Sequence, residues 1–211
     1  TVVNERDELG PDLVPDYLAA CRERGIRFVS DEIYPGITYG VDPATAAAID
    51  DQAIVVNSFS KYFSMTGWRL GWLVVPEDLL QPIERLAQNL FISPPTLSQY
   101  AGVAAFDAQD ECKANVRRYA ENRALLLSDL PGAGFDKLIA TDGAFYVYAD
   151  VARLTNDSVA FCRRMLLETG VAATPGVDFD GARGHATMRF SFAGSTADMA
   201  EAVKRLKAWR K

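Results

Sequence analysis

The chain is predicted to fold as an α/β layer built on a mixed or mostly parallel sheet, followed by a compact α+β subdomain. Three short, almost wholly apolar runs carry the first expectation: IRFVS at 26–30, AIVVNS at 53–58 and GWLVV at 71–75. Strands this apolar, set apart by helical or long connections, suit a sheet covered on both faces. The second expectation rests on a change of character after Leu130, where strand-like and helix-like stretches alternate at short intervals.

Taken in order, the opening TVVNERDELGPD reads as a loop from the middle of something and contains no basic-then-apolar leader. Leu13 to Arg24 has helical spacing through Leu13, Tyr17, Leu18 and Cys21. Pro15 is acceptable in its first turn, and Gly25 is placed to end it. The three apolar runs follow as strands. From Pro76 to Leu130 the pattern is helical with two brief breaks, and it includes PIERLAQNLF and ECKANVRRYAENRALLLSDL. Beyond it come strand-like GAFYVYADV, a helix at about 157–169, strand-like VAATP and TMRFSFA, and an amphipathic helix over Ser195–Lys211. No internal repeat or low-complexity segment interrupts this order.

With 211 residues the chain is long enough to bury a sizeable core in one domain or two small ones. Its 49% hydrophobic content includes no apolar run near the roughly 18 residues of a membrane span, so no membrane association is expected. A net charge of −6 without a concentrated basic face argues against nucleic acid and favours a small-molecule partner. Cys21, Cys112 and Cys162 are odd in number and widely spaced, forming neither a disulfide framework nor a zinc pattern. Reduced thiols in the cytoplasm are the simplest reading, and no metal is expected.

Chemistry concentrates in Ser58-Phe59-Ser60-Lys61 and the following Tyr62-Phe63-Ser64-Met65-Thr66-Gly67-Trp68-Arg69-Leu70-Gly71. Taken alone, Lys61 is a solvated lysine at a strand–loop junction. The functional alternative is an amine nucleophile that forms a Schiff base with a carbonyl cofactor. Ser58, Ser60 and Arg69 would then hold a phosphate, the hydroxyls donating singly and the guanidinium as a fork. That combination points to a phosphorylated aldehyde. Upstream, Asp31 follows directly on the strand IRFVS, where a carboxylate could keep a pyridinium nitrogen protonated, and Tyr34 could donate to a ring oxygen. A turn or cap residue and a half-buried aromatic are their ordinary alternatives.

Together, DEIY and SFSKYFSMTGWRLGW resemble the cofactor-binding signature of the class I/II, fold type I aminotransferases, nearest to aspartate and related aminotransferases. The resemblance continues through Gly143-Ala144-Phe145-Tyr146, through Thr174-Pro175-Gly176-Val177-Asp178-Phe179, similar to the family's PG-x-x-F turn, and through Met188-Arg189-Phe190-Ser191-Phe192. It implies pyridoxal 5'-phosphate as cofactor, carried by Lys61. It likewise implies that Asp31 pairs with the ring nitrogen, Tyr34 bonds the ring oxygen, Ser58, Ser60 and Arg69 hold the phosphate, and Arg189 binds the substrate α-carboxylate. Arg189 has its own physical case, since a guanidinium grips a carboxylate bidentately; a salt-bridged strand arginine is the ordinary alternative. His185, in DGARGHA, reads as a loop residue without a role, and Trp68 and Trp72 as packing groups.

The fold implied is the C-terminal part of the family's large cofactor-binding domain over residues 1–110 and its small C-terminal domain over 111–211. The activity implied is transfer of an amino group between an amino acid and a 2-oxo acid, by a homodimer. Family members are about twice as long and carry an Asn-Pro-x-Gly turn that is absent here, so the chain is expected to begin just after it. The missing N-terminal half is expected to pack against this chain, whose sheet would otherwise keep open edges and an uncovered apolar face. Alone, the chain is expected to be inactive. A lyase on the same scaffold and a non-catalytic aminotransferase-like module are the alternatives.

Overall fold

The computed structural model describes residues 14–140 and 142–209, which divide into two compact units with their boundary between Ala114 and Asn115. The opening loop, helix position Leu13 and the final Arg210 and Lys211 lie outside the described residues.

In the first unit, α1 (Val14–Glu23) is ended by Gly25 at φ +64°, and the Ile26 amide donates back to the Cys21 carbonyl at 2.9 Å. That bond keeps Ile26 with the helix end, and it is more than half exposed. Strand β1 therefore covers Val29–Asp31 rather than 26–30, beginning where the chain first meets its partner β2 (Ile54–Ser58). Strand β3 (Gly71–Val74) completes a sheet ordered β1-β2-β3, with β1 parallel and β3 antiparallel to β2. The sheet is thus mixed. Leu18 of α1 packs with Ala46, Ala53 and Val55, joined by Val14 and Phe28. Side chains alternate across a strand, so the face opposite Val55 carries Val56, its partners Asp31 and Leu73, and Val29. On that face Val29 and Leu73 are about half exposed. The predicted long helical stretch resolves into α2 (Glu77–Leu90), α3 (Thr96–Ala105) and α4 (Gln109–Asp129), with its two breaks at 91–95 and 106–108.

The second unit holds a four-stranded antiparallel sheet, ordered β4-β5-β7-β6, with α5 (Ser158–Thr169) and α6 (Thr196–Trp209). Its strands are β4 (Lys137–Ala140), β5 (Tyr146–Asp150), β6 (Thr174–Pro175) and β7 (Thr187–Ser191). Val147, Ala149, Met188 and Phe190 point to a core shared with Phe135, Phe161 and Met165. VAATP contributes only two strand residues, because Pro175 has no N–H to continue a ladder. Strand β4 went unforeseen: it is a four-residue strand that, among the described residues, pairs only with β5. Fully buried Asn122 of α4 donates through Nδ2 to the Phe192 and Gly194 carbonyls, at 3.0 Å each, tying the end of β7 to the helix.

All three cysteines are free thiols, and two are buried. Burial pushes the Cys162 thiol up to about 11, with a further push from Asp178. Burial raises Cys112 as well, followed by the Glu111 charge. The thiolate is the reactive form, so brief treatment of the native chain with a maleimide at neutral pH should alkylate half-exposed Cys21 first. Peptide mass mapping checks this, with Cys112 and Cys162 appearing only after unfolding.

Candidate active site

Because β1 and β2 run parallel, their carboxyl ends share one edge of the sheet, where Asp31 and Ser58 are the last residues of their strands. Asp31 pairs with Val56, two residues before Ser58, so both side chains lie on one face as well as one edge. Neighbouring Glu32 is used structurally: its amide donates to the Val56 carbonyl at 2.8 Å, and its carboxylate accepts the Ala46 amide at 2.8 Å.

Tyr34 opens a tight turn with Pro35 second and Gly36 third at φ +91°, closed by the Ile37 amide on the Tyr34 carbonyl at 2.9 Å. This is the order a type II turn requires. A Cβ on Gly36 would lie 2.6 Å from Cδ2 of Tyr62, so the Tyr62 ring rests directly on the turn. The Tyr62 hydroxyl donates to Oε1 of Gln109 at 2.9 Å. Burial, then the nearby Cys112, pushes that phenol's pKa up. The turn carrying Tyr34 and the loop carrying Lys61 are therefore held together by the residue next to Lys61.

The loop from Ser58 to Leu70 folds on itself through its own polar groups. Ser58 Oγ donates to Ser60 Oγ at 2.9 Å and lies 3.2 Å from the Leu70 carbonyl, while accepting the Ser60 amide at 3.0 Å. Thr66 Oγ1 donates to the Ser60 carbonyl at 2.8 Å, and Arg69 Nη1 to the Thr66 carbonyl at 3.0 Å. Ser64 and Arg69 take left-handed φ values of 55° and 52°. Such conformations cost about 1–2 kcal/mol each for residues with a side chain and persist only where the surroundings enforce them. The enforcing contacts lie below: Phe59 packs on Phe63, Trp72 and Phe106 with centroids 5.1, 5.0 and 5.6 Å apart. Buried Ser98 donates to the Trp68 carbonyl at 2.7 Å. Trp72 is a packing group as expected, whereas Trp68 is fixed through its backbone and is 41% exposed.

Lys61 is half-buried in this loop, and among the described residues no hydrogen bond or ion pair engages its amine. The exposed Asp31 carboxylate is likewise unengaged among the described residues. One edge of the first unit thus gathers Asp31, Ser58, Ser60, Lys61 and Arg69, with Tyr34 on the adjoining turn. Sequence reasoning missed Thr66, which bridges Ser60 and Arg69, and Tyr62 with Gly36, which join the two loops. The cue for Thr66 is a hydroxyl between two candidate phosphate ligands; for Gly36 it is a Pro-Gly pair directly after Tyr34.

Arg189 lies in the second unit at the centre of β7, paired with Tyr148 on one side and Thr174 on the other. Its guanidinium carbon is 3.9 Å from the Tyr146 ring centroid and 4.0 Å from that of Phe179. His185 falls in a short 3-10 turn, Gly184–Ala186.

The turn beside it depends on Asp180, whose Oδ1 accepts the Ala182 and Arg183 amides at 2.9 and 3.0 Å and whose Oδ2 accepts Arg183 Nε at 2.8 Å. The Arg183 amide bond and side-chain bond hold its pKa down to about 2. A carboxylate depressed on folding contributes stability that is present above its unfolded value of about 4 and is lost as pH falls through the folded one. Urea midpoints of the wild type should therefore drop more between pH ~5 and ~2 than those of Asp180→Asn.

A family model described as aminotransferase class I and II matches residues 11–206. The valine–pyruvate aminotransferase of Mycobacterium tuberculosis is 48% identical over 99% of this chain and 56% of its own length. An aspartate aminotransferase of Sulfurisphaera tokodaii is 33% identical over 88% of this chain and 48% of its own. The crystal structure of an aminotransferase from Mycobacterium tuberculosis superposes with a TM-score of 0.90 at 49% identity, covering 94% of this chain and 52% of that one. The chain thus spans about half the length of the curated relatives it matches.

Proposed function

This chain belongs to the class I and II aminotransferases, and on that premise we propose that it supplies the cofactor-anchoring lysine, phosphate cradle and carboxylate-binding arginine of an enzyme that moves an amino group between an amino acid and a 2-oxo acid. Members of this family use pyridoxal phosphate. The observation that carries the reading is Lys61, a half-buried lysine without a polar partner among the described residues, next to two hydroxyls and an arginine gathered in one self-bonded loop.

That donor set fits the cofactor. Ser58, Ser60 and Arg69 are neutral and cationic donors suited to a phosphate dianion. Asp31, at the same edge, is an anion suited to a ring nitrogen that must stay protonated, and Tyr34 is a donor suited to the ring oxygen. When bound, the cofactor supplies an electron sink for the substrate's Cα bonds. The chain's residues do the rest. Lys61 would hold the cofactor through its aldehyde carbon, and its amine would carry a proton to and from the substrate's Cα. Asp31 would keep the ring nitrogen charged. Arg189 fixes the substrate carboxylate and so sets the direction of the Cα–H bond.

The reading extends to the domains, with residues 1–110 belonging to the large domain and 111–211 forming the small one, supported by the unit boundary after Ala114. It also extends to a cytoplasmic homodimer, supported by three free thiols and by the family resemblance. Valine and pyruvate are the first substrates to test, from the name of the Mycobacterium tuberculosis relative.

Mixing the chain with pyridoxal phosphate, reducing with borohydride and mapping the modified peptide tests the reading. A label confined to Lys61 is expected; a label spread evenly over surface lysines counts against a cofactor site in this chain. In the complete enzyme, turnover that requires a 2-oxo acid acceptor separates amino transfer from elimination.

A further inference from the structure

Arg189 is held in an unusual way. Thr187, Arg189 and Ser191 share one face of β7, and that face passes from buried Thr187 to exposed Ser191. Tyr146 is the partner of Ser191 on β5, which makes it the diagonal neighbour of Arg189. Its ring meets the guanidinium at 3.9 Å. The second ring comes from outside the sheet. Phe179 ends the turn Pro175-Gly176-Val177-Asp178, its amide donating to the Gly176 carbonyl at 3.0 Å, and its ring lies 4.0 Å from the same guanidinium carbon.

The backbone around Phe179 is built for close approach. A Cβ on Gly176 would fall 1.9 Å from Thr187 Oγ1, and one on Gly184 would fall 2.3 Å from the Gly176 carbonyl carbon. Two glycines in direct contact therefore press the turn onto the start of β7, two residues before Arg189. Ser158, fully buried, donates to the Gly184 carbonyl at 2.7 Å and locks the arrangement. Phe179, the residue this backbone construction positions, is itself 37% exposed.

A cation this close to two ring centroids lies over the π faces of the rings. The five N–H donors of a guanidinium lie in its plane, so a ring stacked on that plane leaves its edge to polar partners. A planar carboxylate meets such a fork edge-on, through two parallel hydrogen bonds. We propose that Tyr146 and Phe179 are positioning residues that clamp the Arg189 plane, so that a carboxylate ligand finds the fork already oriented. This rests on the assignment of Arg189 as the carboxylate anchor. Arginine carries a large rotamer entropy, and a clamp removes that freedom before the ligand arrives.

The test uses the chain labelled with 15N-arginine, with the Arg189 Nε–H resonance assigned by its loss in Arg189→Lys and pyruvate as the probe. In the wild type that proton should carry a ring-current shift, and pyruvate should move it saturably. Phe179→Leu should release part of the ring-current shift and weaken pyruvate binding about tenfold, while Phe179→Tyr, which restores a ring face, should preserve both. The exposure of Phe179 makes Leu mild for folding, and far-UV circular dichroism verifies it; Tyr146→Leu is the independent second variant. A ring-current shift released by Phe179→Leu with pyruvate affinity unchanged overturns the clamp and leaves Arg189 as anchor. A wild-type Arg189 signal that ignores saturating pyruvate overturns the anchor assignment itself, and the clamp with it.

Discussion

Replacing Lys61 with alanine is expected to erase the borohydride-fixed label from the Ser60–Ser64 region and, in the complete enzyme, to reduce kcat by at least roughly a thousandfold, the loss typical when a positioned proton carrier is removed. The effect should be almost wholly chemical. Among the described residues nothing polar depends on the Lys61 amine, and substitutions away from packing and hydrogen-bond features usually change stability by about 0.5 kcal/mol or less. The backbone of the loop is fixed by other groups: the Lys61 carbonyl accepts the Ser64 amide at 3.0 Å, and the Phe59 carbonyl accepts the Met65 amide at 3.1 Å. Both bonds survive the substitution. Lys61→Arg should fail equally, although it keeps the charge, because a guanidinium is not deprotonated in proteins and cannot act as the amine nucleophile. Peptide mapping after reduction gives the first readout and steady-state kinetics the second. A label of undiminished intensity on the same peptide in Lys61→Ala would show that another lysine reacts there and would remove the central residue of the proposal.

How much of this was legible in the sequence depends on the range over which each feature is determined. The segments DEIY and SFSKYFSMTGWRLGW act locally: their residues follow strand ends, and the sheet register then carries Asp31 and Ser58 to one edge and one face. An apolar run with a polar end, read together with the family resemblance, therefore singled out the candidate residues before any contact was known. The clamp around Arg189 has a different origin. Tyr146 reaches it diagonally across two strands, and Phe179 reaches it because Gly176 and Gly184 touch, a contact between loops that no periodicity encodes. The bridging roles of Thr66 and Tyr62 were hidden for the same reason, since each depends on where a partner lies rather than on spacing. Strand lengths misled in a consistent direction. IRFVS and VAATP are longer as apolar runs than as ladders, because ladder length is set by the partner strand and by Pro175 as well as by hydrophobicity.

The second large effect is expected at Gly71, where β3 begins. Gly71 pairs with Ser58, and a Cβ there would stand 2.6 Å from the Asn57 carbonyl oxygen, a backbone atom that cannot swing aside. Gly71→Ala must therefore push the start of β3 away from the end of β2. Two bonds cross at that point, from the Phe59 amide to the Leu70 carbonyl at 3.1 Å and from Ser58 Oγ to the same carbonyl at 3.2 Å. Their lengthening would uncouple Ser58 and Ser60 from the segment that carries Arg69. Overpacking of this kind costs about 1–3 kcal/mol. With a urea slope of about 1–3 kcal/mol/M, the unfolding midpoint should fall by about 1 M, and labelling of Lys61 by pyridoxal phosphate should weaken along with it. Gly67→Ala is the matched control, four residues away in the same loop, where a Cβ meets nothing within 4 Å and the midpoint should not move. Equal midpoints for the two variants would mean that β2 and β3 yield to each other at no cost. The proposed phosphate cradle would then be shaped by its own hydrogen bonds alone and not by the sheet beneath it.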